Sequence, residues 1–211
     1  MSDTETPLRP ATPQSRRAEA TRERILRAAA EAFDQRGYLG VNLNDVVREL
    51  GLTKGALYYF FPTKEALAAE IVRRHFGVWE PLATDVLAKH SNLIDALIEI
   101  SMVVAAMYQT DCYARAGARL SAERNLINAD LPEPFQGWIA RVTTLLEMGK
   151  QRGQVRSSVD ALAAAETMVS FFYGAQLVSS YFTGRQDLLD RMRSFWSLVE
   201  PSLRPPPEQI D

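Results

Sequence analysis

The sequence predicts an all-α fold with a small N-terminal domain and a larger C-terminal domain. Of its 211 residues, 46% are hydrophobic and 24% are charged, which is enough apolar material for a sizeable core. Apolar side chains recur three or four positions apart over long segments, the spacing of one helix face. Residues that favour helix starts, and glycines that favour helix ends, lie at the boundaries of these segments.

The first expected element is a long helix over residues 17–36. Ile25, Ala29 and Phe33 share one face of it, and Gly37 ends it. Residues 1–15 are polar and contain three prolines, which predicts a disordered arm. This start lacks a basic segment followed by an apolar run, so we expect no signal peptide.

Two short helices separated by a tight turn come next. Asn42 suits the start of a helix that extends to about residue 50, and Gly51 makes the turn. Thr53 can then cap a helix over residues 54–60. This is the layout of a helix-turn-helix, the motif that inserts its second helix into the major groove of DNA.

The segment LTKGALYYFFPTKEAL at residues 52–67 combines lysines with consecutive aromatic residues. Leu57 and Phe60 are expected to anchor the second short helix to its own small core. Residues 9–64 hold ten basic and six acidic residues although the whole chain carries −2, so the positive charge lies where DNA would bind. The alternative is a helical hairpin whose lysines are only solvated. The side chains left to face DNA are those of Thr53, Lys54, Tyr58, Tyr59 and Lys64.

Residues 21–67, TRERILRAAAEAFDQRGYLGVNLNDVVRELGLTKGALYYFFPTKEAL, resemble the DNA-binding domain of the TetR family of repressors. The resemblance includes Phe33, Gly37 and Tyr38, the Leu-Thr-Lys-Gly turn and the Tyr-x-x-Phe-x-x-Lys-Glu-x-Leu run. It implies an all-helical homodimer whose C-terminal domain binds a small molecule and then releases DNA. One short helix contacts only a few base pairs, so specificity also implies a dimer on a palindromic operator in double-stranded DNA.

The resemblance implies roles for individual residues of this face. Lys54 is the candidate for contact with a guanine edge, and Gly55 allows the helix to approach the groove closely. Tyr58 and Tyr59 match positions that contact phosphates, and Lys64 at the next helix start suits another phosphate. Two weaker candidates, which cap helices as readily as they contact DNA, are Thr21 and Asn42.

In the C-terminal part, a helix over residues 64–79 is expected to join the two domains. Helices over about 92–110, 111–124 and 135–153 follow. By the same resemblance they enclose a pocket for a small, largely apolar effector; a place in an ordinary core is the alternative for each lining residue. Candidate ligand-binding residues are Met102, Tyr108, Leu120, Phe135, Trp138, Val142, Phe172 and Tyr173.

Residues 115–138, RAGARLSAERNLINADLPEPFQGW, resemble a second signature, that of the γ-butyrolactone receptor subgroup of this family. That resemblance implies that Trp138 stacks against a lactone ring while the acyl chain lies among apolar side chains. An effector of another class, such as a drug, a lipid or another metabolite, is left open by the sequence. So is an activator in place of a repressor.

The last two expected helices cover 161–182 and 186–201. The first of them is apolar nearly all round and must be covered on all sides. They resemble the dimerisation pair of the family, and simple packing within the chain is the alternative. Glu166 interrupts the first of them, which argues against a membrane span, and is expected to be buried and hydrogen-bonded. The residues assigned to dimerisation are Met168, Phe171, Phe172, Ala175, Phe195 and Val199.

An enzyme is not expected. His75 and His90 lie outside any carboxylate cluster, Cys112 has no histidine close in sequence, and no phosphate-binding glycine loop or metal-ligand spacing occurs. We therefore expect no cofactor, no metal and no membrane partner, and the single cysteine suits a reducing cytoplasm. The expected domains are a disordered arm (1–15), a helix-turn-helix domain (16–66), a ligand-binding and dimerisation domain (67–203) and a disordered tail (204–211).

Overall fold

The computed structural model describes residues 12–133 and 135–206, and these residues form ten α-helices, one 3₁₀ turn at Arg124–Leu126 and no strand. The all-α prediction is confirmed. The helices are α1 (Pro13–Gly40), α2 (Leu43–Glu49), α3 (Lys54–Phe60), α4 (Lys64–Gly77), α5 (Trp79–Lys89), α6 (Leu93–Thr110), α7 (Cys112–Ala122), α8 (Gln136–Gln151), α9 (Ala161–Thr183) and α10 (Leu188–Leu203).

Helix α1 begins four residues earlier than the sequence predicted. The Thr12 side chain accepts a hydrogen bond from the backbone N–H of Ser15, and Pro13 occupies the first helical position, where its missing N–H costs nothing. Residues 13–15, assigned to a disordered arm, therefore form the first helical turn. The rest of the arm, residues 1–11, lies outside the described residues, as do residues 207–211 of the expected tail.

The sequence predicted that Gly37 ends the first helix, whereas α1 continues to Gly40 with a break in its backbone at Gly37. Its backbone has φ 71° and ψ 178°, a conformation that glycine adopts without steric cost. A Cβ at this position would also lie 2.6 Å from a carboxylate oxygen of Glu123. The chain therefore turns at Gly37 while α7 packs closely against the turn.

Helix α5 was not predicted from the sequence. One helix was expected over 64–79, whereas α4 ends at Gly77 and α5 begins at Trp79, with Val78 between them. No side chain caps the start of α5, so the usual start signal is absent from the sequence. Pro81 is tolerated because it lies in the first turn of the helix.

The helix-turn-helix has the predicted elements. The Asn42 side chain caps α2 by accepting from the N–H of Asn44 at 2.9 Å, and Thr53 caps α3 by accepting from Ala56 at 3.2 Å. Leu57 is fully buried, as expected of an anchor of α3. Phe60 is only half-buried against the same core, and the more deeply buried aromatic is Phe61, which is 4% exposed.

One hydrophobic core joins the helix-turn-helix to α4 and to one face of α7. The α7 residues in it include Cys112, Ala116 and Leu120, and they pack with α1 and α4. The expected domain boundary at residues 66–67 therefore does not coincide with a break in packing. A second core lies among α5, α6, α8, α9 and α10.

Helices α4 and α7 approach closely at Gly117. A Cβ built there would lie 2.3 Å from the Cβ of His75 on α4, closer than real Cβ contacts come. Only glycine fits at this position without movement of the helices. His75 is consequently held in the interior, 4% exposed.

A layer of ion pairs and hydrogen bonds lines the edge of this junction. Arg115 on α7 pairs with Asp34 on α1 at 2.6 Å, and Arg119 donates to the Asp34 backbone carbonyl at 2.7 Å. Arg185, in the loop between α9 and α10, reaches the same Asp34 carboxylate at 3.7 Å. Asp34, whose side chain is mostly buried, thereby connects α1 with α7 and with the α9–α10 loop.

Helices α6 and α9 are long and apolar enough to cross a membrane by length and composition alone, and core helices of soluble proteins pass the same test. In each helix, 39% of the most apolar stretch of 18 residues is buried within the chain. The expectation that Glu166 is buried was wrong, since it lies on the exposed side of α9. Glu166 therefore lies on the side of α9 that faces solvent in the isolated chain.

We expect Gly117→Ala to lower the free energy of unfolding by about 1–3 kcal/mol, because the added methyl group pushes α4 and α7 apart. Urea denaturation would measure this loss. Gly137→Ala on α8 is the matched control, since a Cβ there meets nothing within 4 Å and alanine favours the helix. Equal stabilities of the two variants would contradict the close crossing.

Candidate DNA-binding face and ligand cavity

The exposed side of α3 carries the residues that the sequence assigned to DNA. Tyr59 is 80% exposed and Tyr58 is 47% exposed, on a helix whose opposite side buries Leu57. Thr53, Lys54 and Gly55 are exposed at its start. Such exposure of two tyrosines is unusual for a surface with no partner and suits contact with a ligand or nucleic acid.

Lys64 is engaged within the protein. Its ammonium lies 4.4 Å from the centre of the Tyr38 ring, a cation–π contact, and burial lowers its pKa. The Tyr38 hydroxyl donates to Glu65 at 2.6 Å, which holds that ring in position. Lys64 is therefore at the start of α4 as predicted, but only half-exposed there.

The two weaker candidates differ in their surroundings. The Thr21 hydroxyl donates to the backbone carbonyl of Arg17 within α1 at 3.0 Å and caps no helix. Asn42 is exposed and caps α2. Asn42 thus lies at a helix start beside the turn, whereas Thr21 is half-buried on α1.

Three neighbouring cavities surround Trp138 on α8. An outer cavity of about 310 Å³ lies among α4, α5, α6 and α8. An inner cavity of about 80 Å³ lies among α6, α8, α9 and α10, and a head-side cavity of about 30 Å³ lies next to α4 and α7. Among the described residues, Trp138 is the one that lines all three.

Six of the eight predicted ligand-binding residues line at least one of these cavities. Leu120 does not, because it belongs to the core shared by α7 and the helix-turn-helix. Met102 does not either, and it packs half-buried against the second core. The six that do are Tyr108, Phe135, Trp138, Val142, Phe172 and Tyr173.

Sequence reasoning missed the wall that α4 and α5 contribute. His75 and Phe76 line the head-side cavity, and Trp79, with Glu80, lines the outer cavity. The run HFGVW at residues 75–79, with aromatic rings at positions 75, 76 and 79, was a signal for this wall. The rings of Trp79 and Trp138 meet edge to face with centres 4.5 Å apart.

His75 is uncharged at neutral pH, because burial lowers its pKa to about 4. Its Nδ1 is buried and has no hydrogen-bond partner. The Nε1 of Trp79 and the Nε of Arg141, another residue of the outer cavity, are also buried without a hydrogen-bond partner. The cavity wall is therefore mainly apolar with a few buried polar atoms left unpaired, which is the usual character of a small-molecule site.

A separate groove runs between α9 and α10 on the outside of the chain. Phe171 stacks on Phe195 there with ring centres 4.0 Å apart, and Ala175 and Val199 also line the groove. Two of the predicted dimerisation residues, Met168 and Phe172, instead line the inner cavity. Large exposed apolar side chains on α9 and α10, which that prediction omitted, include Leu177, Tyr181, Phe182 and Leu198.

Across residues 12–133 and 135–206, no group of three or more His, Cys, Asp or Glu side chains is arranged to hold a metal ion. His90 lies 2.5 Å from a single carboxylate oxygen, that of Glu99. The polar groups of the cavity walls, which include Glu80, Glu133, Ser101 and Ser121, are scattered among apolar side chains. The geometry favours binding of an apolar molecule.

Comparison with known proteins identifies both parts of the chain. Residues 25–71 match the family described as "Bacterial regulatory proteins, tetR family", and residues 91–205 match "Tetracyclin repressor-like, C-terminal domain". Together the matched segments include the helix-turn-helix and the helices from α6 to α10. The cavity therefore lies largely in the part matched to the second family description.

Several relatives are similar over most of this chain. The A-factor receptor protein of Streptomyces griseus is 33% identical over 190 residues, which are 90% of this chain and 66% of that receptor. A solved γ-butyrolactone receptor (ArpA-like protein) is 30% identical, with a TM-score of 0.79 and 90% of each chain covered. CprB from Streptomyces coelicolor, solved with its operator sequence, is 29% identical, with a TM-score of 0.80 and 90% of this chain and 91% of CprB covered. The chain belongs to the TetR family of bacterial regulatory proteins.

Proposed function

We propose that this protein is a transcriptional repressor that binds a palindromic operator as a homodimer and releases it when a small, largely apolar effector enters the cavity around Trp138. The effector is of the γ-butyrolactone type. The observation that carries the proposal is the course of α4. This helix begins with Lys64, directly after the recognition helix α3, and ends with His75 and Phe76 in the cavity wall.

A ligand acts on DNA binding through this helix. If a molecule in the cavity displaces His75 or Phe76, α4 must shift, because Gly117 leaves no space between α4 and α7. The two recognition helices of a dimer match the operator only when they are about one DNA turn apart. A tilt of α4 changes that spacing and weakens binding, provided that the ligand prefers the tilted state.

The DNA-binding part of the proposal rests on α3. Lys54 contacts a base edge, while Tyr58 and Tyr59 bind phosphates and fix the helix in the groove. Arg16 and Arg17, exposed in the first turns of α1, extend the positive surface. The solved complex of CprB with its operator supports this use of the fold.

The dimer part rests on the outer face of α9 and α10. Tyr181 is 83% exposed and Leu198 is 78% exposed in the isolated chain. Apolar side chains of this size on adjacent helices are normally covered by a partner. Two copies of α9 and α10 packed across a two-fold axis would cover them with self-complementary surfaces.

The effector part rests on the shape of the cavity and on the relatives. The wall is mainly apolar, and the S. griseus relative is an A-factor receptor while the ArpA-like relative is a γ-butyrolactone receptor. The relatives are regulators of transcription, and we infer that this chain has no catalytic activity. It acts in the cytoplasm, where it meets both DNA and a diffusible effector.

Lys54→Ala should weaken binding to the cognate operator by about 1–3 kcal/mol and relax discrimination at one base pair per half-site, since it removes a base contact. Lys64→Ala should weaken binding to all duplexes alike and flatten the salt dependence. Titrations of operator and scrambled duplexes at several salt concentrations measure both effects. Lys89→Ala, remote from α3 at the end of α5, is the control. A sequence-independent loss for Lys54→Ala would contradict its assignment to a base.

Leu198→Glu should convert the dimer into folded monomers, because it adds a charge to the groove between α9 and α10, which Leu198 lines. Sedimentation velocity would measure the mass, and circular dichroism would check that the helices persist. Leu126→Glu is the matched control, since Leu126 is also exposed but lies on the 3₁₀ turn. The unmodified protein sedimenting as a monomer would exclude this dimer.

Trp138→Ala should leave operator binding nearly intact and abolish release by γ-decalactone, a γ-butyrolactone with a hexyl tail. The residue lies in the cavity wall and not in the helix-turn-helix. Release is measured as the loss of fluorescence anisotropy of a labelled operator during titration with the lactone. Leu146→Ala, buried in the same core but outside the three cavities, controls for lost stability. Undiminished release from Trp138→Ala would show that the effector binds elsewhere.

A further inference from the structure

Unpaired polar atoms are concentrated at the cavity. Five buried side-chain atoms of the described residues lack a hydrogen-bond partner, and three of them belong to cavity-lining residues: His75 Nδ1, Trp79 Nε1 and Arg141 Nε. Buried polar atoms are normally paired, since an unmade hydrogen bond is costly. A molecule that enters these cavities can supply the missing partners.

The two unpaired atoms of the outer cavity have the same chemistry. An indole Nε1 and a guanidinium Nε each carry one hydrogen and can only donate. Trp79 lies on α5 and Arg141 on α8, and both residues line the outer cavity. A ligand that satisfies them must present an acceptor oxygen.

Charge in the outer cavity is already balanced. Among the described residues, Arg141 is the one cation that lines it, and that guanidinium forms an ion pair with Glu80. The other lining acid, Glu133, pairs with Arg124 at 2.9 Å. An anionic ligand would therefore lose its hydration without meeting an unpaired cation, which is unfavourable.

We propose that Trp79 and Arg141 determine the specificity of the outer cavity by donating hydrogen bonds to an uncharged acceptor oxygen, and that the Glu80–Arg141 pair excludes the corresponding carboxylate. The apolar part of the ligand lies against Leu97, Ile100 and Val142, which line the same cavity. This inference rests on the proposed function only in taking the cavity as the effector site. It adds which wall residues recognise the polar end and which form of the ligand they reject.

Two forms of one molecule test the proposed specificity of the outer cavity. γ-Decalactone is uncharged, and its base hydrolysis gives 4-hydroxydecanoate, the same carbon skeleton with a carboxylate. Isothermal titration calorimetry with the DNA-free protein should give an affinity for the lactone at least about tenfold higher than for the carboxylate. Trp79→Phe and Arg141→Met should each weaken lactone binding by about five- to tenfold, the usual worth of one hydrogen bond.

A matched control and a charge variant sharpen the test. Trp196→Phe removes an indole N–H that already donates to Ser101 at 2.7 Å, so lactone binding should stay within about twofold of the unmodified protein. Glu80→Gln frees the Arg141 charge and should raise the affinity for 4-hydroxydecanoate by about tenfold or more.

The outcomes separate this inference from the proposed function. Unchanged lactone affinity in both Trp79→Phe and Arg141→Met, tighter binding of the carboxylate to the unmodified protein, or no lactone binding at all would each overturn the inference. If the affinities follow the expected order but bound lactone does not release the operator, the inference stands and the proposed repressor mechanism fails.

Discussion

Helices α4 and α7 are so close at Gly117 that a methyl group there would lie 2.3 Å from the Cβ of His75. This contact sets the spacing of α4 and α7, and α4 is the element that both the helix-turn-helix and the cavity use. The same contact holds His75 inside, where burial keeps the imidazole neutral. The position of α3 and the shape of the cavity therefore depend on one crossing with no free space, and packed crossings of this kind switch between arrangements more readily than they deform.

Trp138 has a comparable role inside the C-terminal part. It lines all three cavities. Two of them are small, and the outer one is at the lower end of the range for small-molecule sites. The outer cavity reaches α5, and the inner cavity reaches Phe195 and Trp196 on α10. A ligand with a tail that occupies both must pass the side chains that line both, Trp138 and Val142 among them.

The helix-turn-helix could be predicted almost to the residue, because local signals specify it. Thr53, Asn42 and Gly51 set the helix ends through contacts within a few positions of themselves. The start of α5 had no such signal, and neither did the burial of individual side chains on α7 and α9. Leu120 and Glu166 were misjudged because tertiary packing decides which side of an apolar helix is covered. Trp138 was found from a motif, whereas His75 and Trp79 reach the cavity only through the packing of α4 and α5.

The shared core and the carboxylate of Asp34 bear on how such proteins diversify. Arg115 and Arg119 of α7 hold α1, and Arg185 joins them from the α9–α10 loop. The first three helices are thus not an interchangeable module. A chimera that grafts the operator specificity of a relative at residue 66 would separate Cys112, Ala116 and Leu120 from the surfaces that they fit. The smallest unit that can be exchanged intact includes α7, so operator preference and the inner face of α7 are inherited together.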